Sequence, residues 1–599
     1  MSLELYHPVR SLYKQVQVQP AKIALEGFEL AAPWDQVSWS RFDAISTKMA
    51  QVLIHFGVGI QDKCAILSDN KPQWTCADIA CLKARAVVVP IYPTSTSEQA
   101  RYIINDAQVG VIFVDTAEQY KVACNLQVHS NSISHIVVFD PKAALLNTEY
   151  HHHFDALISD ETFVTKECET QLQQRLADAH LDDLLTLIYT SGTTGDPKGV
   201  MLDHKNIAST MRQHDEKLAF SAGDVSLAFL PLSHVFERAW SFYVLCRGGK
   251  NVYLADTNKV KEAIAQVRPN TMCVVPRFLE KVYSAVQAKV SKGSSTQQKI
   301  FAWALSVGTK HFEILQNREK GNVWLSIQQT LATKLVFSKL QQVLGGRLKF
   351  MPCGGAALDK EVASFFHAIN VPVLCGYGMT ETTATVTCNT IVNRVSGSNG
   401  QMLSETDVKI GEGNEVLVRG DTVMRGYYNR PIDTENAFQD GWLKTGDAGE
   451  FDANGNLYIT DRIKELMKTS NGKYIAPQRV EGKVGCCPFI EQIAVIADQR
   501  NYVTALIVPA FESLEAWARD RGLQFESSID LLRNHHVIEH FENRLKVLQQ
   551  ELAGFEKIKR FTLLSEAFSI EKGLITPTLK LRRKNIDQTY ASEIQAMYH

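Results

Sequence analysis

Residues 187–200 read Leu-Ile-Tyr-Thr-Ser-Gly-Thr-Thr-Gly-Asp-Pro-Lys-Gly-Val, and this stretch decides the fold. Its apolar opening (Leu187, Ile188, Tyr189) predicts a strand, and the Gly- and Thr-rich remainder predicts an anion-binding loop. Gly192, Gly195 and Gly199 open backbone conformations closed to other residues, so successive N–H groups can converge on one point. Thr190, Ser191, Thr193 and Thr194 add hydroxyl donors, and Lys198 adds a mobile positive charge. That set suits polyphosphate. A Walker A loop is excluded, because Pro197 and Gly199 flank the lysine where Gly-Lys-Ser/Thr is required. By composition alone the loop could equally be a solvated turn, so its meaning depends on what the rest of the chain supplies.

Outward from this loop, strands and helices alternate. Phe42, Ile45, Met49, Val52, Leu53 and Phe56 fall at helical spacing. Strands are expected at 63–68, 86–91 and 109–115, with helices at 74–83 and 97–107 between them. This alternation predicts an α/β fold with parallel-rich sheets covered by helices. Beyond the loop, a helix is expected at 206–218 and a strand at 225–230. That strand runs into Leu-Pro-Leu-Ser-His-Val-Phe-Glu-Arg, placing His234 where strand gives way to helix. A lone histidine there is ordinarily a capping or packing residue. Between 281 and 346 lie two helical stripes, Phe301/Leu305/Gly308/Phe312/Leu315 and Trp324/Ile327/Leu331/Leu335, whose apolar faces are expected to pack on the core or on each other.

The totals narrow the class. At 599 residues, with 45% hydrophobic and 21% charged residues, the chain is of soluble multidomain composition. A net charge of -2 argues against a nucleic-acid binder. The twelve cysteines form no CxxC pair or zinc-ligand spacing, which fits a reduced, cytoplasmic compartment. The opening MSLELYHPVRSLYKQ has no signal-peptide pattern, and no stretch approaches the ~18–20 apolar residues of a membrane span. Peripheral contact with the inner face of a membrane stays open.

Further pieces lie downstream. A strand at 347–352 leads into Gly354-Gly355-Ala356-Ala357-Leu358-Asp359, where small residues let backbone approach a flat ring. In Gly376-Tyr377-Gly378-Met379-Thr380-Glu381, a Gly-flanked aromatic can stack on a purine and Thr380 can bond a phosphate. Glu381 is a hard oxygen ligand suited to Mg²⁺. In Gly-Trp-Leu-Lys-Thr-Gly-Asp, Asp447 after a strand and a Gly turn can accept ribose hydroxyls, or simply shape an Asx turn. A small α+β domain follows, ending near the basic run Leu-Ile-Thr-Pro-Thr-Leu-Lys-Leu-Arg-Arg-Lys at 574–584, by itself an ordinary solvated segment.

Taken together and in order, these five motifs resemble those of the adenylate-forming (AMP-binding) enzymes, and the resemblance covers nearly the whole chain. The 281–346 insertion is similar in size to that of the long-chain fatty acyl-CoA synthetases; covering one side of an apolar tunnel and offering an apolar face to a membrane are both open to it, and the sequence does not decide between them. The resemblance implies an AMP-binding domain at 1–460, a mobile α+β lid at 461–599 and a hinge at 461–464. It implies ATP, Mg²⁺ and coenzyme A as cofactor and substrates, and a fatty acid as acceptor of the adenylate. Residues 190–195 and Lys198 would cradle phosphates, and Gly355–Ala357 with Gly376–Gly378 would hold adenine. Glu381 would bind the metal, Asp447 and Arg462 the ribose or phosphate, and His234 would border the carboxylate. Lys464 would be the pivot, Lys468 and Gly472 would face CoA, and Lys580 would bridge carboxylate and α-phosphate, with Lys584 as the alternative. Tyr474 stands where relatives often carry Asn. Two other readings remain: a ligase that loads a carrier protein, and a silent binder of nucleotide or acyl ligands.

Overall fold

Runs such as Val87–Ile91 and Val109–Val114 have no polar face to show to water, and they form the centre of an eight-stranded sheet. The computed structural model describes residues 2–190, 196–317, 323–576 and 579–599. Across the sheet the order is Gly426–Tyr427, Lys198–Asp203, Leu184–Thr190, Val87–Ile91, Lys63–Leu67, Val109–Val114, His135–Val138 and His151–His153. The six strands from Leu184–Thr190 onward are parallel, and the other two are antiparallel at one edge. Thr190 and Lys198, flanking the glycine-rich stretch, are paired in register. Ser191, Gly192, Thr193, Thr194 and Gly195 lie outside the described residues.

A second sheet pairs Val225–Ala228, Lys250–Tyr253, Ile23–Gly27 and Gln36–Ser38. A third pairs Met351–Cys353, Val373–Tyr377, Thr387–Cys388 and Gln401–Met402. Parallel bridges at Thr271 and Val274 join the two, Ser226 to Thr271, Thr271 to Phe350 and Val274 to Cys353. The carboxyl ends of these parallel strands therefore open side by side, the position where α/β sheets ordinarily take ligands.

One buried ion pair ties the two sheet systems. Arg238, on helix Val235–Cys246, donates to Asp78 through Nε at 2.9 Å and Nη2 at 2.5 Å, and to the Thr186 hydroxyl at 2.7 Å. Asp78 belongs to helix Pro72–Lys83, and Thr186 to the strand that leads into the glycine-rich stretch. Burial pushes the Asp78 carboxyl up, against the pull of Arg238.

After residue 460 the chain builds a smaller unit. Strands Ile490–Ile496, Val503–Pro509 and Ile558–Leu563 form its sheet, and helices Pro477–Gly485, Phe511–Asp520 and His535–Leu548 pack with it around Val495, Ile507 and Phe541.

Three expectations need correction. The strand expected at 347–352 is confined to Met351–Cys353, preceded by a lone bridge of Phe350 to Thr271, because the chain leaves the turn at Gly345 and Gly346, φ +84° and +70°, without strand pairing at 347–349. Asp447 does not follow a strand; it lies inside the long strand Trp442–Phe451, which bulges there. Of the two apolar stripes, the first buries Phe301 and Gly308, whereas the second is left about half exposed: Trp324 is 63% exposed, Ile327 55%, Leu331 49% and Leu335 46%. Helical spacing records that apolar residues share a face, not that a neighbour covers it. Among the described residues, no helix is long and apolar enough to cross a membrane.

Arg238→Met should cost about 3–5 kcal/mol of stability, because Asp78 is left buried without its counter-charge. Denaturant unfolding against the wild type measures it.

Candidate active site

The strand ends assemble the cleft. Helix Val235–Cys246 starts beside the third sheet: a Cβ placed on Gly354 would meet the Phe236 ring at 3.6 Å. His234 caps this helix, its Nδ1 accepting the Phe236 N–H at 3.1 Å. Burial, and secondarily Lys580, lowers the His234 pKa to about 4, so the ring is neutral. The capping reading of this histidine and its place in the cleft thus hold together.

Strand Val373–Tyr377 delivers the GYG segment. Gly378 is obligatory there, since a Cβ would fall 2.2 Å from the Ala384 carbonyl oxygen. Gly376 stands within the strand, and Gly355, Ala356 and Ala357 are exposed at the end of the neighbouring one. Tyr377 donates its hydroxyl to Asp447 at 2.7 Å, and Arg462 donates Nε to the other oxygen of the same carboxylate at 3.0 Å. Asp447 and Arg462 face each other across paired strands, which fixes this contact. Burial first, and Asp447 next, raise the Tyr377 phenol well above its ordinary range.

Thr380 and Glu381 are buried in the short 3₁₀ turn Thr380–Thr382. Desolvation raises the Glu381 pKa, while the Tyr427 hydroxyl, Arg462 and Lys580 favour the carboxylate. Tyr427 donates to Glu381 at 2.9 Å, and the Lys198 ammonium lies 5.1 Å from the Tyr427 ring centre. Lys198 also pairs with Asp433 at 2.5 Å. Tyr427 and Asp433 were not found from the sequence. Nothing local separates Tyr427 from Tyr428; only the register of Tyr427 against Val200 identifies it.

From the smaller unit, the hairpin closed by Ile575 and Leu581 carries Lys580. Much of Lys580 is exposed, yet its ammonium is desolvated and its pKa is lowered, first by that burial and then by Arg462. Asp447, Glu465 and Glu381 act on it in the opposite sense. Lys584 is exposed on helix Arg583–Thr589. Structure therefore brings together Lys580, His234, Glu381, Asp447, Arg462, Tyr377 and, through Tyr427, Lys198. Lys468 and Gly472 lie elsewhere, around the hairpin Met467–Lys468/Tyr474–Ile475, whose turns bond to Asp498, Arg500 and Asn501 of the same unit. The main chain of Lys464 lies in the 3₁₀ turn Ile463–Glu465; its side chain is outside the described atoms.

Lys198 after the strand pair Leu184–Thr190/Lys198–Asp203, the buried Glu381, the Asp447–Arg462 pair and the Lys580 ammonium form an arrangement suited to a nucleotide and a second anion. Comparison with known proteins agrees. The family pattern of the AMP-binding enzymes matches residues 12–428, and that of the AMP-binding enzyme C-terminal domain matches 464–599. The chain is 30% identical to the long-chain-fatty-acid–CoA ligase FadD15 of Mycobacterium tuberculosis, over 91% of this chain and 90% of that protein. It is 31% identical to long chain acyl-CoA synthetase 3 of Arabidopsis thaliana, over 92% of this chain and 85% of that one. Among solved structures, the anthranilate CoA ligase AuaEII in complex with anthranoyl-AMP has the same fold (TM-score 0.72, 18% identity, 98% of each chain). So does the A domain of the carboxylic acid reductase from Segniliparus rugosus (TM-score 0.74, 20% identity, 99% of this chain and 94% of that one).

His234 stays neutral in the folded protein at pH values where the unfolded chain, near 6.5, takes up a proton. Its contribution to stability is therefore full above that value and is lost as pH falls through 6.5 toward 4. A pH titration of ¹³C-histidine-labelled protein by NMR should show no His234 protonation between pH 5 and 8. In Lys580→Ala, which removes a neighbouring positive charge, the His234 midpoint should move up.

Proposed function

The chain belongs to the AMP-binding enzyme family, and on that premise we propose that it is a ligase joining a long-chain fatty acid to coenzyme A. The reaction is driven by ATP, passes through an acyl-adenylate and releases AMP and pyrophosphate. The observation that carries this reading is the convergence of the Lys580 ammonium with Arg462, Asp447 and Glu381 beside His234.

In the first step the fatty carboxylate attacks the α-phosphate, forming the acyl–phosphate bond as the α–β bridge breaks and pyrophosphate leaves. Two anions must meet, so the obstacle is repulsion and charge growing on the phosphoryl oxygens. Lys580 bridges carboxylate and α-phosphate. Thr190, Lys198 and the intervening loop hold the β- and γ-phosphates, with Thr380 beside them. Asp447 and Arg462 hold the ribose, while Tyr377, Gly376 and Gly378 with Gly355–Ala357 enclose the adenine. The fatty carboxylate lies against His234, whose neutral ring adds no charge of its own. A single buried carboxylate, already oriented by Tyr427, is the donor set a Mg²⁺ shared with phosphate oxygens requires, so Glu381 fits that ion. When bound, Mg²⁺ offsets phosphate charge.

In the second step the thiol of CoA attacks the acyl carbonyl and AMP leaves. Acyl-AMP is electrophilic enough, and a thiol nucleophilic enough, that no protein nucleophile is needed. Residues 1–460 form the AMP-binding domain and 461–599 a lid that turns about 461–464, withdrawing Lys580 and presenting the face that bears Lys468 and Gly472.

The exposed stripe Ile327/Leu331/Leu335 has a chemical partner in an anionic lipid surface. Between residues 289 and 347 there are nine lysines and arginines against two glutamates, in a chain of net charge -2. Apolar side chains flanked by basic ones are the composition of an interfacial helix. Ile327→Glu combined with Leu331→Glu should abolish co-sedimentation with phosphatidylglycerol vesicles while leaving turnover in solution unchanged. Equal binding of variant and wild type would overturn the membrane contact.

The decisive test is pyrophosphate release from ATP with Mg²⁺ and fatty acids of graded length, with and without CoA. CoA-dependent turnover peaking at long chains is expected. One equivalent released without CoA dependence points to a carrier protein as acceptor, and none with any acid points to a silent binder. Lys580→Ala should lower adenylation roughly 100- to 1000-fold while sparing thioester formation from supplied acyl-AMP. Lys584→Ala should change neither, and Lys464→Pro should block only the second step.

A further inference from the structure

Helix Pro276–Ser291 begins two residues past Val274, whose strand end borders the cleft; a Cβ on Gly355 would meet Val275 at 3.9 Å. Its second residue, Arg277, lies 3.7 Å from Glu280 of its own helix and reaches across to the small domain. The guanidinium donates to three main-chain carbonyls of the small domain: Gly485 at 2.7 Å, Ile490 at 3.1 Å and Glu491 at 2.9 Å. One helical turn on, Lys281 pairs with Glu491 at 3.1 Å, and Ser284 donates to the Cys486 carbonyl at 3.0 Å. Positions 277, 281 and 284 share one helix face, so this face is a dock for residues 485–491.

Arg277 stands at the N-terminus of its own helix, where the dipole disfavours a cation. Gly485 closes helix Pro477–Gly485, where unsatisfied carbonyls and the dipole favour one. The contact across the seam thus compensates what its own helix opposes. Ile490 and Glu491 open strand Ile490–Ile496. Ala494 and Ile496 of that strand pack in one cluster with Leu574 and Ile575, with Leu581 against it, which are the residues that frame Lys580. A packed path therefore runs from Arg277 through one strand to Ile575 and Leu581, which bridge beside Lys580.

We propose that Arg277 is a positioning residue for adenylation: it holds the small domain in the orientation that sets the Lys580 ammonium in the cleft, and it is released when the lid turns. This rests on the two-step ligase reading above. The dock is made with the Lys580 ammonium in the cleft, so on this proposal losing it shifts the population of lids away from adenylation and leaves the orientation that accepts the thiol untouched.

The test measures the two half-reactions separately in the full-length enzyme. Arg277→Ala should slow acyl-adenylate formation about 10- to 100-fold and leave thioester formation from supplied acyl-AMP within about twofold. Arg277→Lys, which keeps charge but not the fork, should restore part of the loss. Lys281→Ala, an exposed partner on the same face, should shift the ratio in the same direction by less. In a Lys580→Ala background, Arg277→Ala should cost little more, because the residue acts through that lysine. Equal loss of both half-reactions, no loss of either, or full additivity with Lys580→Ala would overturn the proposal. A wild type that forms no acyl-adenylate would instead sink the ligase reading itself.

Discussion

The contact between Arg238 and Asp78 is the constraint from which the cleft takes its shape. Both charges are buried, so neither tolerates separation, and a third guanidinium donor, on Nη1, is used by Thr186. Thr186 in turn donates to the Val88 carbonyl at 2.6 Å in the middle of the large sheet. Two helices and one strand are thereby fastened at one point: Pro72–Lys83, Val235–Cys246, which His234 caps, and Leu184–Thr190, which leads into the glycine-rich stretch. The spacing of His234 from the end of strand Leu184–Thr190 is set by that fastening.

Within the cleft, the charged groups proposed for the nucleotide, Asp447, Glu381 and Lys198, each have a protein partner that aims them. Asp447 is held by Tyr377 and Arg462, Glu381 by Tyr427, and Lys198 by Asp433. Such oriented groups need little rearrangement when charge develops on a phosphate, and this is the main way a protein lowers the barrier to phosphoryl chemistry. The lysine on the smaller unit is the exception. Its position depends on a whole domain's orientation, not on one neighbouring side chain.

Much of this was readable in the chain. The apolar runs at Val87–Ile91 and Val109–Val114 and the capped helix Ser97–Ala107 follow from local pattern, because burial and capping leave period and composition marks. The glycine-rich stretch, GGAALD and GYGMTE carry their chemistry in consecutive residues. What escaped depends on distance in sequence. Tyr427 joins Glu381 only through strand register, Arg277 meets residues more than two hundred positions away, and the bulge that takes Asp447 inside a strand is a property of pairing, not of sequence period. The second apolar stripe was legible as a helix face, but whether anything covers it is decided by the rest of the fold.

The seam at Arg277 has a consequence for how the two domains can vary. The guanidinium grips carbonyl oxygens, which every residue type presents alike, so the small domain's side chains at 485, 490 and 491 carry none of the information in those three bonds. The lid's side chains do contribute elsewhere on the seam, Glu491 to Lys281 and Lys483 to Asp359. Positions 485 and 490 are therefore free to drift so long as the backbone path between helix end and strand start is kept, whereas 483 and 491 are tied to charges on the large domain.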